Sequence, residues 1–279
     1  MDMSVVQGSV VVGVDGSEAS STALAWASRF ATLESRPLSV VHACGLPAAM
    51  SDFEDLLASE RGLQSVGRAI AGEAEADARL TDPGLAVSST VVVGSPGNVL
   101  VEASETAALV VVGGRGRGAI TSVLLGSVSG QVTREGHCPV VVVRGWAEET
   151  HRPVVVGVDG TGASTAAVEF AFHQASMCGV PLTVLHATWE LREQPTLVWD
   201  QERLVAETVA GQSEKYPDVP VTEVYRPGPP VRELVAASGD ASLLVVGSRG
   251  RRLLSNTLLG SVSRVVVERA ECPVAVARP

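Results

Sequence analysis

The residues best placed to do chemistry form two glycine grids of identical spacing. Gly113-Gly114-Arg115-Gly116 is followed after nine residues by Gly126-Ser127-Val128-Ser129, and Gly247-Ser248-Arg249-Gly250 after nine residues by Gly260-Ser261-Val262-Ser263. Each copy follows an apolar run, Ala108 to Val112 or Leu243 to Val246, and leads into a helical pattern. A strand that ends in glycine and feeds a helix N-terminus exposes several N–H donors, to which the helix dipole adds about half a positive charge. That arrangement suits phosphate binding. Gly113 and Gly116 are expected to accept φ > 0 and to let the backbone approach a phosphate closely. Ser127 and Ser129 offer hydroxyls and amides to a second phosphate or a ribose. One GxxG says little; the full grid, present twice, points to two related sites.

Two further positions recur. The first apolar run of each half ends in Gly13-Val14-Asp15-Gly16-Ser17 or Gly157-Val158-Asp159-Gly160-Thr161. Asp and Gly favour tight turns, yet Asp15 and Asp159 also stand where a nucleotide would meet the chain, and Ser17 or Ser20 is placed to cap the next helix. His42 and His186 end the second apolar run; a histidine there serves more often as a satisfied supporting group than as a base. The P-loop motif GxxxxGK[ST] is absent, and the sole lysine, Lys215, is far in sequence from either grid. A dinucleotide fingerprint would follow the first strand and not the fourth.

The elements that must position these residues repeat as well. Val10 to Ser17 answers Val154 to Thr161, and Pro37 to Ala43 answers Pro181 to Ala187. His42 and His186 are 144 positions apart but Gly113 and Gly247 only 134, so the second repeat has lost ten residues, which must fall between 189 and 220. Short continuous apolar runs predict strands buried on both faces at 9–15, 37–43, 87–93, 108–113 and 138–144. Helical patterns lie between them: Glu18 to Leu33, Asp52 to Leu80, Pro96 to Thr106 with Ser95 as cap, and Ser122 to Glu135. Five β–α alternations imply a parallel sheet with helices on both faces and every strand C-terminus on one edge. The expected fold is α/β: two tandem open five-stranded parallel-sheet domains of Rossmann-like type, at 1–146 and 152–279, joined by Gly145 to Arg152.

Composition removes several classes of function. A net charge of −10 argues against general nucleic-acid binding, although Arg115, Arg117, Arg249, Arg251 and Arg252 crowd the glycine turns. The apolar runs are strand-length, too short to span a bilayer, and the acidic or neutral start is not a secretory leader; a cytoplasmic location is expected. Cys44, Cys138, Cys178 and Cys272 form no CxxC pair and read as small buried residues. No histidine set has metal-ligand spacing.

Together, VGVDGS, the VHA end of the second strand, the VVGxRG turn, the LLGSVS helix start and the CPVVVVR final strand resemble the universal stress protein family in its tandem, ATP-binding form, from Val10 to Arg278. The resemblance implies ATP as ligand, with Mg²⁺ an open question. It implies that Gly13 and Asp15 lie beside the ribose and phosphates, Ala43 and Val112 at the adenine edge, and Gly113, Gly116, Gly126, Ser127, Val128 and Ser129 around ribose and phosphates. In the second half these roles pass to Gly157, Asp159, Ala187, Val246, Gly247, Gly250, Gly260, Ser261, Val262 and Ser263. It further implies that strands 138–144 and 272–278 pair across a two-fold-like interface, an intrachain pseudo-dimer, with a homodimer as a further assembly. Two departures stand out: Gly114 where a small hydroxyl residue is usual, and Arg252 and Leu253 where the first half has Gly118 and Ala119.

No evident group drives phosphoryl transfer. The function expected is a nucleotide-binding regulator of stress response or dormancy without efficient catalysis. The alternatives are a slow ATPase using Asp15 or His42, a sensor of AMP or cyclic AMP, and an interaction module with vestigial sites.

Overall fold

The computed structural model describes residues 5–45, 53–114, 125–146, 151–188, 195–248 and 259–278. The chain divides into two compact units, Met1–Val143 and Arg144–Pro279. In the first unit β1 (Val10–Gly13), α1 (Glu18–Leu33), β2 (Leu38–Cys44), α2 (Phe53–Thr81), β3 (Val87–Val93), α3 (Pro96–Ala103), β4 (Leu109–Gly113), α4 (Ser127–Glu135) and β5 (Val140–Val143) follow one another. All pairings are parallel and the strand order is β3-β2-β1-β4-β5. The second unit repeats the plan with β6 (Val154–Val158), a 3₁₀ turn (Gly162–Ser164), α5 (Thr165–Cys178), β7 (Leu182–Thr188), α6 (Pro195–Lys215), β8 (Val221–Pro227), α7 (Pro230–Ser238), β9 (Leu243–Gly247), α8 (Ser261–Arg269) and β10 (Val274–Ala277). Its order is β8-β7-β6-β9-β10.

The central strands are continuous valine and leucine because both of their faces are covered. Val10, Val11, Val12, Val110 and Val111 are fully buried, as are Val156, Leu244, Val245 and Val276. Each such side chain contributes on the order of 1.5–3 kcal/mol of burial before conformational entropy is set against it. Ala23, Ala27 and Ala31 form the buried stripe of α1; small residues at helical spacing let the helix lie close on the sheet. α5 ends at Gly179, whose left-handed φ of 63° lets its N–H reach the Ala175 and Ser176 carbonyls.

Several boundaries are shorter than the apolar runs, for local reasons. β5 starts at Val140 because Pro139 has no N–H to give the ladder, while its carbonyl still accepts from Val110. α3 stops at Ala103, where the Ser104 hydroxyl donates to the Val101 carbonyl at 2.5 Å and accepts the His137 N–H at 2.8 Å. Ser238 does the same at the end of α7, donating to the Val235 carbonyl and accepting from Glu271. The Ser95 hydroxyl makes no cap bond; the fixed φ of Pro96 opens α3 instead. The ten missing residues are also located: α6 has 21 residues against 29 in α2, and the connection before it is two residues shorter.

β3 and β8 end the two strand orders. β3 is mostly half-buried: Arg79 of α2 donates to the Val87 carbonyl at 3.0 Å and pairs with Glu75, which accepts a short hydrogen bond from Ser89. β8 is half-buried at Val221, Val224 and Tyr225 and exposed at Thr222, Glu223, Arg226 and Pro227.

Candidate functional site

The sheet brings the singled-out residues to one edge. β1 ends at Gly13, β2 at Cys44 just past Ala43, and β4 at Gly113 just past Val112; β1 lies between β2 and β4. α1 and α4 both start on this edge, the place where open α/β sheets take ligands. In the second unit Gly157, Asp159, Ala187, Val246 and Gly247 meet in the same way.

The Asp turn is built alike in both units. Gly16 and Gly160 adopt φ of 73° and 71°, a left-handed conformation that glycine takes without steric cost. Asp15 Oδ1 accepts the Ser17 N–H at 3.0 Å and its hydroxyl at 2.6 Å. Asp159 Oδ1 accepts the Thr161 N–H at 3.0 Å and hydroxyl at 2.7 Å. The helices then diverge. Ser17 caps α1 by accepting from the Ser20 N–H. In the second unit Ser164, the counterpart of Ser20, turns back to Asp159: its hydroxyl donates to Oδ1 at 2.8 Å and accepts the Asp159 N–H at 3.0 Å. Asp159 Oδ2 is buried with no hydrogen-bond partner among the described residues. Leaving a buried carboxylate oxygen without a donor is unfavourable, so this atom fits a ligand that brings one.

His42 and His186 support the turn. Nδ1–H of each donates to the carbonyl of the residue before the aspartate, Val14 at 2.8 Å and Val158 at 2.9 Å. A carbonyl only accepts, so Nδ1 carries the proton. Beside His42, burial pushes the Cys44 thiol up from its ordinary value, and its S–H points at the Leu63 carbonyl. That thiol is not primed as a nucleophile.

The glycine grid closes into a neck. Gly126 donates to the Gly114 carbonyl at 3.0 Å, and Gly260 to the Ser248 carbonyl at 2.9 Å. The intervening turn therefore leaves and returns at one point. Residues 115–124 and 249–258, with Gly116 and Gly250 among them, lie outside the described residues. Gly126 and Gly260 cap α4 and α8 without any side-chain bond. The amides of Ser127, Val128 and Ser129, and of Ser261, Val262 and Ser263, thus have no partner within the helix. They sit where the dipole favours an anion.

Three details differ from expectation. Gly113 is not in the left-handed region; it is glycine because a Cβ there would lie 2.7 Å from the Ala19 carbonyl oxygen in the first turn of α1. Gly13 and Gly157 likewise make room, for Leu100 and Leu234 respectively. The Ser129 and Ser263 hydroxyls face inward: Ser129 donates to the Gly126 carbonyl at 3.1 Å and Ser263 to the Gly247 carbonyl at 2.6 Å, leaving their amides for a ligand. Sequence reading missed Ser164, which nothing distinguishes from Ser20 by type. It also passed over the strain relieved by Gly16 and Gly160, which the Asp-Gly pairs signal. The described residues hold no group of three or more His, Cys, Asp or Glu suited to a metal ion.

The universal stress protein family profile matches residues 8–144 and again 150–278. The chain belongs to the universal stress protein family. A family member from Mycobacterium tuberculosis is 40% identical over 290 residues, covering 98% of this chain and 97% of its own. One from Mycolicibacterium smegmatis is 36% identical over the whole of both chains. A crystal structure of a universal stress protein from Archaeoglobus fulgidus has the same fold, with a TM-score of 0.75 at 20% identity, covering 98% of this chain and 99% of that one. No described helix is long and apolar enough to cross a membrane.

Proposed function

We propose that each repeat, 1–146 and 152–279, binds one adenine nucleotide at its sheet edge, and that occupancy by ATP sets the state of a regulator of stress response or dormancy. The observation that carries this reading is the uncapped start of α4 and α8 beside the glycine neck, built twice. The amides of Ser127, Val128 and Ser129, or Ser261, Val262 and Ser263, would hold phosphate oxygens. In this reading Gly116 and Gly126, with Gly250 and Gly260, would admit them closely, while Gly113 and Gly247 end the strand beside them. Asp15 and Asp159 would accept from a hydroxyl of the ligand, the role that the unpartnered Oδ2 of Asp159 suits. Gly13 and Gly157 let Leu100 and Leu234 pack against the end of the first strand beside the proposed site. The backbone at Ala43 and Val112, with Ala187 and Val246, would meet the adenine edge, the Val112, Ala187 and Val246 side chains being buried.

Nδ1–H of each histidine is committed to a backbone carbonyl of the aspartate turn, a bracing role. The function proposed is binding with little turnover. A ligand that prefers the folded protein also stabilises it by mass action.

Mass analysis of the small molecules released on denaturing protein purified without added nucleotide tests the reading, together with calorimetric titration of ATP into the wild type, Asp15→Ala and Asp159→Ala. ATP released in near-stoichiometric amount, and the loss of one binding step in each variant, is the expected result. Titrations unchanged in both variants would refute the site assignment. Release of AMP or cyclic AMP in place of ATP would reassign the cognate nucleotide.

A further inference from the structure

From the first strand through the first helix the two repeats run at a constant offset of 144. Within that stretch one charge difference falls on the ligand edge. Glu18 opens α1 in the first unit, and Gly162 stands at the matching position of the second. Glu18 is exposed. Its neighbour Ala19 is the residue whose carbonyl oxygen lies 2.7 Å from where a Cβ on Gly113 would be. That same position is 3.1 Å from the Ala19 Cβ and consecutive Cα atoms are about 3.8 Å apart, so the Glu18 Cα is at most about 10 Å from the Gly113 Cα, on the order of the screening length of about 8 Å at physiological salt. The two edges share a strand ending in glycine, an aspartate turn and an uncapped helix start. They differ besides in Ser248 for Gly114, in Arg252 and Leu253 for Gly118 and Ala119, and in the Ser164 bond to Asp159. Of these only Arg252 changes charge, in the same sense as the absence of Glu18.

We infer that the two sites are unequal, the second unit holding polyphosphate nucleotides more tightly because Glu18 repels phosphate charge at the first. This rests on the nucleotide-binding reading above and adds which site is stronger, and for which ligands. A triphosphate brings about four negative charges. Against one carboxylate at roughly 8–10 Å, in high dielectric and behind one screening length, the repulsion amounts to about two- to fourfold in Kd. The monophosphate, with about half the charge, feels about half of that in logarithmic terms. Glu18 also favours the positive N-terminal end of α1. That contribution acts on the helix whatever is bound, so dependence on ligand charge separates the two roles.

The swap of residues is sterically permitted. A Cβ on Gly162 meets nothing within 4 Å and its φ is not left-handed, so Gly162→Glu fits the turn. Glu18→Gln removes the charge and keeps the side chain's length. The experiment is calorimetric titration of the full chain, with ATP and separately with AMP, in physiological and in 1 M salt, with melting temperatures confirming that each variant is folded. The wild type is expected to resolve a tight and a weak ATP step whose separation shrinks with AMP and in high salt, where the screening length falls to about 3 Å. Glu18→Gln should tighten the weak ATP step by about two- to fourfold and leave the tight step in place. Gly162→Glu should weaken the tight step. Two equal ATP steps in the wild type, or ATP steps unmoved by Glu18→Gln, overturn the inequality while leaving nucleotide binding intact. A wild type that takes up no nucleotide overturns the binding reading and this proposal with it.

Discussion

Gly113→Ala isolates the reason a glycine ends β4. The added Cβ would lie 2.7 Å from the Ala19 carbonyl oxygen, 2.8 Å from its carbonyl carbon and 3.1 Å from its Cβ. Comfortable separation is about 3.5 Å, so the first turn of α1 must retreat by roughly 0.7 Å, and backbone in a capped helix does not yield by rotating a side chain. Overpacking of this kind costs about 1–3 kcal/mol. The loss of glycine's freedom in the unfolded chain offsets about 0.4–1 kcal/mol, leaving a net destabilisation of about 1–2 kcal/mol. Gly13→Ala is the control. Its Cβ would also meet an atom at 2.7 Å, but that atom is Leu100 Cδ1, the end of a flexible side chain. Moving it costs about 0.5–1.5 kcal/mol, which the same entropic offset nearly cancels. With a urea m-value of about 2 kcal/mol/M, Gly113→Ala should lower the unfolding midpoint by about 0.5–1 M and Gly13→Ala by about half of that or less. Trp26, buried in α1 and stacked on Phe30, gives a fluorescence signal in the affected unit. Equal midpoints for the two variants would show that close approach to α1 is not what demands glycine at 113.

Gly16→Ala and Gly160→Ala should each cost on the order of 1 kcal/mol, because a side chain is forced into the left-handed region; thermal melts of the two variants should move together. Cys272 is buried, and that burial pushes its thiol up from 9.0 to about 12. A group whose folded value is raised contributes stability that is intact below about pH 9 and lost as pH climbs towards 12, by up to about 4 kcal/mol. Cys272→Ala should flatten the fall of unfolding free energy over that window, as measured by denaturation at a series of alkaline pH values. A slope unchanged by the substitution would remove the assignment.

The strand and helix pattern was legible because buried parallel strands write themselves as unbroken valine runs and α1 as an alanine stripe. α1 runs over the predicted residues Glu18 to Leu33, and β3 over 87–93. Where boundaries moved, the cause was either a local one, as at Pro139 before β5, or a hydrogen bond to a residue distant in sequence, as when Ser104 takes the His137 N–H and α3 ends at Ala103. The site shows the same division. Spacing located the sheet edge, the grid and the aspartates. It did not disclose that Gly113 answers to Ala19, that Ser129 and Ser263 turn their hydroxyls inward, or that Ser164 abandons capping to hold Asp159. The Gly113 and Ser263 contacts join residues distant in sequence; the Ser164 bond is local, but Ser20 and Ser164 are the same residue type in the same register.

The outermost strands of the two units carry a consequence for how the chain survives in a crowded solution. An edge strand is a template on which another chain can add itself. β8 defends itself: Gly228 donates to the Thr188 carbonyl, so Pro227 turns its backbone to the open side, where it has no N–H to offer, and Glu223 and Arg226 add charge. β3 reads Val-Ser-Ser-Thr-Val-Val-Val, with neither charge nor proline. Its protection is borrowed from α2, through the Arg79 bond to the Val87 carbonyl and the Glu75 bond to Ser89. This edge of the first unit is therefore guarded only while the end of α2 stays docked.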